Sequence, residues 1–232
     1  MIGFTDSTNP PRNEGVFCCN ICDFGAKKRN FKKNGERSVQ VIDLEKMLEM
    51  LKDRLTPKRL SHSLGVSETA WKLALKYGAE PDKARVAGLV HDCARELPNN
   101  ILLQKAQSFG IVISDVEMAN PSLLHAPVGA HLAKVDFGIE DEQILQAVKL
   151  HTTGAPAMTV LDKIVFLADY IEPNRSFPGV DKLRETAEKS LDHAVLAAYD
   201  QTLQFIIAQG GLIHMDSVEG RNFMLIKLKK IQ

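Results

Sequence analysis

From Ile42 to about Ala208 the apolar residues recur every three to four positions, the period of an α-helix rather than the two-residue alternation of a strand. Asp43 is placed to cap a helix to about Lys52, and Thr56 followed by Pro57 opens a second that ends near Gly78. Pro81 opens a third, which carries His91 and Asp92 to its C-terminal end. A fourth runs from Pro98 to Phe109, closed by Gly110. The same spacing predicts helices over about 127–137, 141–151, 158–171, 180–188 and 192–208. Only GIVIS (110–114) and FMLIKL (223–228) hint at extended backbone. The pattern predicts an all-α helical bundle over 41–232, ending in a short irregular tail.

Composition narrows the class. The 232 residues are 44% hydrophobic and 25% charged, the balance of a chain that buries a sizeable core. Lys plus Arg and Asp plus Glu stand at 29 each, a formal net charge of zero. A general nucleic-acid binder carries a basic excess, so no nucleic-acid partner is expected. No run reaches the roughly 18 apolar residues of a membrane span, no signal peptide is evident, and the four cysteines read as reduced thiols. The expectation is a cytoplasmic protein with no membrane partner.

Residues 1–40 are rich in Gly, Asn, Pro and Lys and lack periodicity, so they read as a disordered or loosely attached extension. Cys19 and Cys22 have the spacing of half a zinc site, but no second pair follows to complete four ligands.

Candidate chemistry lies in the histidines. His62 shares a helical stripe with Val66, Ala70, Leu73 and Tyr77, so it points inward. His91 shares one with Ala84 and Gly88, small residues that let another element approach. His125 lies in line with Val128, Leu132 and Val135, and His151 ends a stripe through Ile144, Ala147 and Val148. Asp169 follows Val165 and Phe166 by one turn, while His131 and His193 have mixed neighbours and read as surface or core residues. A single inward histidine is ordinary core, but a buried carboxylate without a partner costs several kcal/mol. Four histidines and two aspartates on inward faces of separate helices have a common solution in a metal ion held between helices. Imidazole mixed with carboxylate suits iron, manganese, cobalt or zinc, and the lack of thiolates argues against structural zinc. His91 and Asp92, about 100° apart on a helix, can both reach one ion near its end.

The strings RLSHSLGVSETAWKLALKYG (59–78), AGLVHDCARELP (87–98), LLHAPVGA (123–130), HTTG (151–154), DKIVFLADYIEPNRSFPGVDKLR (162–184) and GLIHMDSVEGRN (211–222) extend this picture. Together they resemble the HD superfamily of metal-dependent phosphohydrolases, in its YqeK-type branch of symmetrical diadenosine-tetraphosphate hydrolases. The resemblance covers about Asp43 to the C-terminus and implies a metal-dependent enzyme cutting diadenosine tetraphosphate into two ADP. Its dinucleoside polyphosphate substrate would give products of the ADP or GDP type.

By position, His62, His91, Asp92 and Asp169 match the family's metal ligands, with iron the expected metal. His125 and His151 match the middle histidines, which hold a second ion or meet the phosphates, so one or two ions stay open. Asp92, His125, His151 and Arg95 are the implied catalytic residues. Arg59, Arg175 and the loop residues Leu212, Ile213, His214, Asp216 and Ser217, together with His125 and His151, match substrate contacts. Arg95 replaces the usual lysine, keeping the charge on a planar fork, and Met215 stands where proline is expected. Another nucleotide substrate, or a sensor that binds without turnover, remains the alternative, and a homodimer is left open.

Overall fold

The computed structural model describes residues 43–230. The predicted extension 1–40, with its Cys19–Cys22 spacing, lies outside the described residues. Eleven α-helices follow one another among them: α1 (Leu44–Lys52), α2 (Pro57–Tyr77), α3 (Pro81–Val90), α4 (Asn99–Ser108), α5 (Asp115–Ala119), α6 (His125–Val135), α7 (Glu142–Leu150), α8 (Val160–Ile171), α9 (Val180–Lys189), α10 (Leu191–Ala208) and α11 (Met215–Lys229), with a 3-10 turn at Pro121–Leu124 before α6. No strand occurs among the described residues. No helix there is long and apolar enough to cross a membrane.

The helix starts follow the sequence signals. Asp43 accepts from the Lys46 amide and Thr56 from that of Arg59, while Ser114 with Glu117 and Thr159 with Asp162 form reciprocal capping boxes. Helix α8 is the axis of the bundle. Every residue from Leu161 to Ala168 is buried, and α2, α3, α7, α9 and α10 all pack against it. Two of those residues are charged: Asp162 Oδ2 accepts from Gln146 and the Thr159 amide, and Lys163 donates to Asp192.

Helix α3 packs its Gly88 directly against the α2 backbone. A Cβ there would lie 2.9 Å from Ser67 Cα and 3.0 Å from the Val66 carbonyl, so the small residue on the His91 stripe is required by the crossing.

Three local expectations are corrected. The FMLIKL segment lies inside α11 rather than in an extended or irregular tail. Its buried stripe is Ser217, Gly220 and Met224, helically spaced but too small and polar to register as an apolar face. GIVIS forms no strand; Gly110 takes the left-handed conformation (φ 68°) and the Ile111 amide returns to the Ala106 carbonyl, closing α4. Helix α3 stops at Val90, so His91 is its C-cap and Asp92 stands in a tightened turn, with Cys93 bonded to Val90 and Arg95 to Asp92. In α6, Val135, the last residue of the helix, is 69% exposed. His131 and His193 are exposed.

Candidate metal centre

Helix ends build most of the site. The last carbonyls of a helix have no intrahelical donor, and His91, His125 and His151 each stand just past such an end. Their Nδ1 atoms meet the carbonyls of Gly88 (2.7 Å), Ser122 (2.6 Å) and Val148 (2.7 Å), three residues back in each case. A carbonyl only accepts, so Nδ1 carries the proton and Nε2 is left with its lone pair. His62 sits mid-helix, where the carbonyls are already taken, and its Nδ1 instead meets Glu172 Oε1 at 3.1 Å. All four rings therefore present Nε2 to one place.

That place is organised by Asp92. Its Oδ2 lies 3.4 Å from His91 Nε2 and 3.8 Å from His62 Nε2, while Oδ1 lies 3.3 Å from His125 Nε2 and 3.6 Å from His151 Nε2. Asp169 Oδ1 approaches His62 Nε2 to 2.9 Å and His91 Nε2 to 3.8 Å. Yet the buried Nε2 atoms of His62 and His91 have no hydrogen-bond partner; the 2.9 Å approach is not aligned as a hydrogen bond. His125 and His151 bring their Nε2 atoms to 3.1 Å, and the Thr152 hydroxyl lies 3.1 and 3.0 Å from the two. One hydroxyl proton cannot satisfy both lone pairs.

Electrostatics agree with a ligand set. Burial lowers the pKa of His91 and pushes His125 down to about 4, against the pull of Asp92. Burial also lowers His62, but the Asp169 and Glu172 carboxylates more than reverse it, leaving it raised. Burial alone would raise Asp92 and Asp169. The imidazoles around Asp92, and Arg175 with His62 beside Asp169, outweigh it and hold both well below the usual carboxylate range. Neutral His91 and His125 beside ionised Asp92 and Asp169 are in the protonation states a metal requires.

The six residues expected at a metal site thus come together, and three groups among them could hold an ion: His62–His91–Asp92, His91–His151–Asp169 and Asp92–His125–His151. Orphaned buried nitrogens facing carboxylates fit a cation of the kind imidazole–carboxylate sets bind. Arg59 donates to Asp92 Oδ2 (2.8 Å) and Arg175 to Asp169. The Arg95 side chain, half-buried and within the field of Asp92 and Asp169, makes no ion pair or hydrogen bond among the described residues.

The expected loop 212–217 is in its second half the first turn of α11, and it joins the site through Ser217, whose hydroxyl donates to the Thr153 carbonyl beside the histidine pair. His214, Ile213 and Asp216 are half-buried, and Leu212 and Met215 are 61% exposed. The sequence reading passed over Thr152 and Glu172. The HTTG string and the Asp169–Glu172 helical spacing were the available signals.

Residues 59–174 match the HD domain family. A protein of Halalkalibacterium halodurans named bis(5'-nucleosyl)-tetraphosphatase, symmetrical, is 40% identical over 188 residues, covering 79% of this chain and 98% of the relative. Its namesake in Bacillus subtilis is 38% identical over 190 residues, with 79% and 98% covered. A crystal structure of a predicted HD superfamily hydrolase involved in NAD metabolism, from Clostridium acetobutylicum, superposes with a TM-score of 0.78 at 43% identity, covering 80% of this chain and 98% of that one. With its histidine–aspartate centre in the matched region, the chain belongs to the HD-domain family, in the YqeK-type branch of symmetrical bis(5'-nucleosyl)-tetraphosphatases.

Proposed function

We propose that the chain is a metal-dependent hydrolase that cleaves diadenosine tetraphosphate symmetrically into two ADP. The observation that carries this is the convergence of four bare Nε2 atoms on Asp92 and Asp169, in a chain spanning almost the whole length of relatives bearing that name. His62, His91, Asp92 and Asp169 would hold one ion, iron by preference, with manganese, cobalt or zinc as substitutes. The second oxygen of Asp92, with His125 and His151, supplies donors for another. When bound, such an ion lowers the pKa of water and neutralises charge on phosphate oxygens.

Hydrolysis adds the oxygen of water to phosphorus and releases the bridging oxygen on ADP, which takes up a proton. Where no second ion takes that pair, His125, neutral at pH 7 because its pKa is about 4, offers Nε2 as a transient proton acceptor, with Thr152 bridging it to His151. Arg95 has its fork free for a phosphate oxygen, and Arg175 and Arg59 stand at the rim where further phosphates would lie. Leu212, Ile213, His214, Asp216 and Ser217 flank the nucleoside ends in this reading. Residues 41–232 form the hydrolase domain and 1–40 are dispensable. A chain starting at residue 41 is expected to keep both melting temperature and turnover.

The substrate assignment is tested by kcat/KM for diadenosine tetraphosphate against nucleoside monophosphates, using metal-loaded protein. Strong preference for the dinucleotide is expected. Preference for a monophosphate would assign the centre to another phosphohydrolase reaction. Tight nucleotide binding without turnover would make the protein a sensor.

A further inference from the structure

The His62 ring is held from both sides by one helix end. Asp169, near the end of α8, faces its Nε2 at 2.9 Å, and Glu172, three residues on at the C-cap, faces its Nδ1 at 3.1 Å. Glu172 is 1% exposed, and no Lys or Arg side chain pairs with its carboxylate among the described residues. Its second oxygen accepts from the Asn174 backbone amide at 2.8 Å. Its own backbone carbonyl is held by Arg184 at 2.9 Å. Helix α2 leaves room for it at Gly65, one turn beyond His62, where a Cβ would fall 2.4 Å from Glu172 Oε2.

The other three cluster histidines fix their tautomer on helix-end carbonyls. His62, inside a helix, has none to use. We infer that Glu172 is the positioning residue of the centre: by accepting Nδ1–H it holds His62 in the tautomer and orientation that turn a bare Nε2 toward Asp92 and Asp169. The inference rests on the reading of the cluster as a metal centre. It also explains why a carboxylate stands there. Two N–H groups converge on the two oxygens, and only a carboxylate accepts both at once. An amide would give its oxygen to the Asn174 amide, which has no alternative tautomer, and turn its NH2 to His62. The proton would then move to Nε2 and face the cluster.

The test uses the full chain, stripped of metal, with Mn²⁺ as probe. Glu172→Gln is expected to keep its helical content and metal-free melting temperature while weakening Mn²⁺ binding by about 10–100-fold. Gly65→Ala, which displaces the carboxylate without altering it, should weaken binding in the same direction. In the metal-free wild type, the nitrogen NMR shifts of His62, recorded above the imidazole titration range, should report Nδ1–H and a bare Nε2, and this reading stands even if neither variant folds. Unchanged Mn²⁺ affinity in Glu172→Gln, or Nε2–H in the wild type, would overturn the positioning role alone. Failure of the wild type to bind Mn²⁺ would overturn the metal-centre reading, and this role with it.

Discussion

His125 and His151 bring their Nε2 atoms to within 3.1 Å of each other while each commits Nδ1 to a backbone carbonyl. Two lone pairs at that distance repel unless a cation or a proton lies between them, and the Thr152 hydroxyl can supply only one proton. His125→Ala and His151→Ala should therefore each lower kcat by about 10²–10⁴-fold. Thr152→Val, which removes one shared hydrogen bond, should lower it by about 10-fold. Steady-state kinetics with saturating metal, alongside circular dichroism, measures both; a fully active His125→Ala would remove this pair from the chemistry.

Arg95 is the cation near the centre that Asp92 and Asp169 attract without pairing. Its replacement by alanine should reduce kcat/KM by about 10–100-fold, the loss of one charge-assisted hydrogen bond to phosphate. Arg95→Lys should recover part of this, since it restores the charge but not the fork. Metal stoichiometry, measured in parallel, should not change. A drop in stoichiometry would place Arg95 in support of the ligands instead.

Gly88→Ala should destabilise the protein by about 1–3 kcal/mol, because the new Cβ meets Ser67 and Val66 backbone that cannot rotate away. His91 follows three residues later at the end of the same helix, so metal affinity should fall with the melting temperature. Thermal melts of the metal-free protein and a metal titration test the two parts separately.

Glu117 contributes a pH-dependent term. Burial raises its pKa, but His214 and the Ser114 cap outweigh this and bring it from 4.5 down to about 2. A depressed carboxylate stabilises above its unfolded value, and that stability is lost as pH falls through the folded one. His214 is shifted the other way, chiefly by the Glu117 carboxylate 3.9 Å from its Nε2; its contribution is full below 6.5 and fades as pH rises through its raised folded value. The melting-temperature gap between wild type and Glu117→Gln should be widest between pH 4.5 and 6.5 and close toward pH 2. A gap independent of pH would contradict the pairing.

What the sequence made legible depended on range. The stripe through His62, Val66, Ala70 and Leu73 is a local periodicity, and all four residues are buried. The same rule brought His91, His125 and His151 inward. It could not reach Glu172, whose partner His62 lies 110 positions away, because nothing in a helical period records which helix end meets which ring. Thr152 was passed over because a threonine after a histidine has no periodic signature. Helix α11 was missed because Ser217, Gly220 and Met224 pack by smallness rather than by hydrophobicity. Asp92 reaches the cluster from a turn, not from the predicted helix end. The dipeptide was visible, but the local geometry that lets its two oxygens serve both halves of the centre was not.

The central claim is metal-dependent symmetrical cleavage, and product analysis tests it most directly. Protein stripped by a chelator, then reloaded with Fe²⁺ or Mn²⁺, is given diadenosine tetraphosphate and the nucleotides are separated. ADP alone is predicted, two for each substrate consumed, with no turnover before reloading. AMP together with ATP would place attack on a different phosphate and contradict symmetrical cleavage, while full activity in the stripped protein would contradict the metal centre.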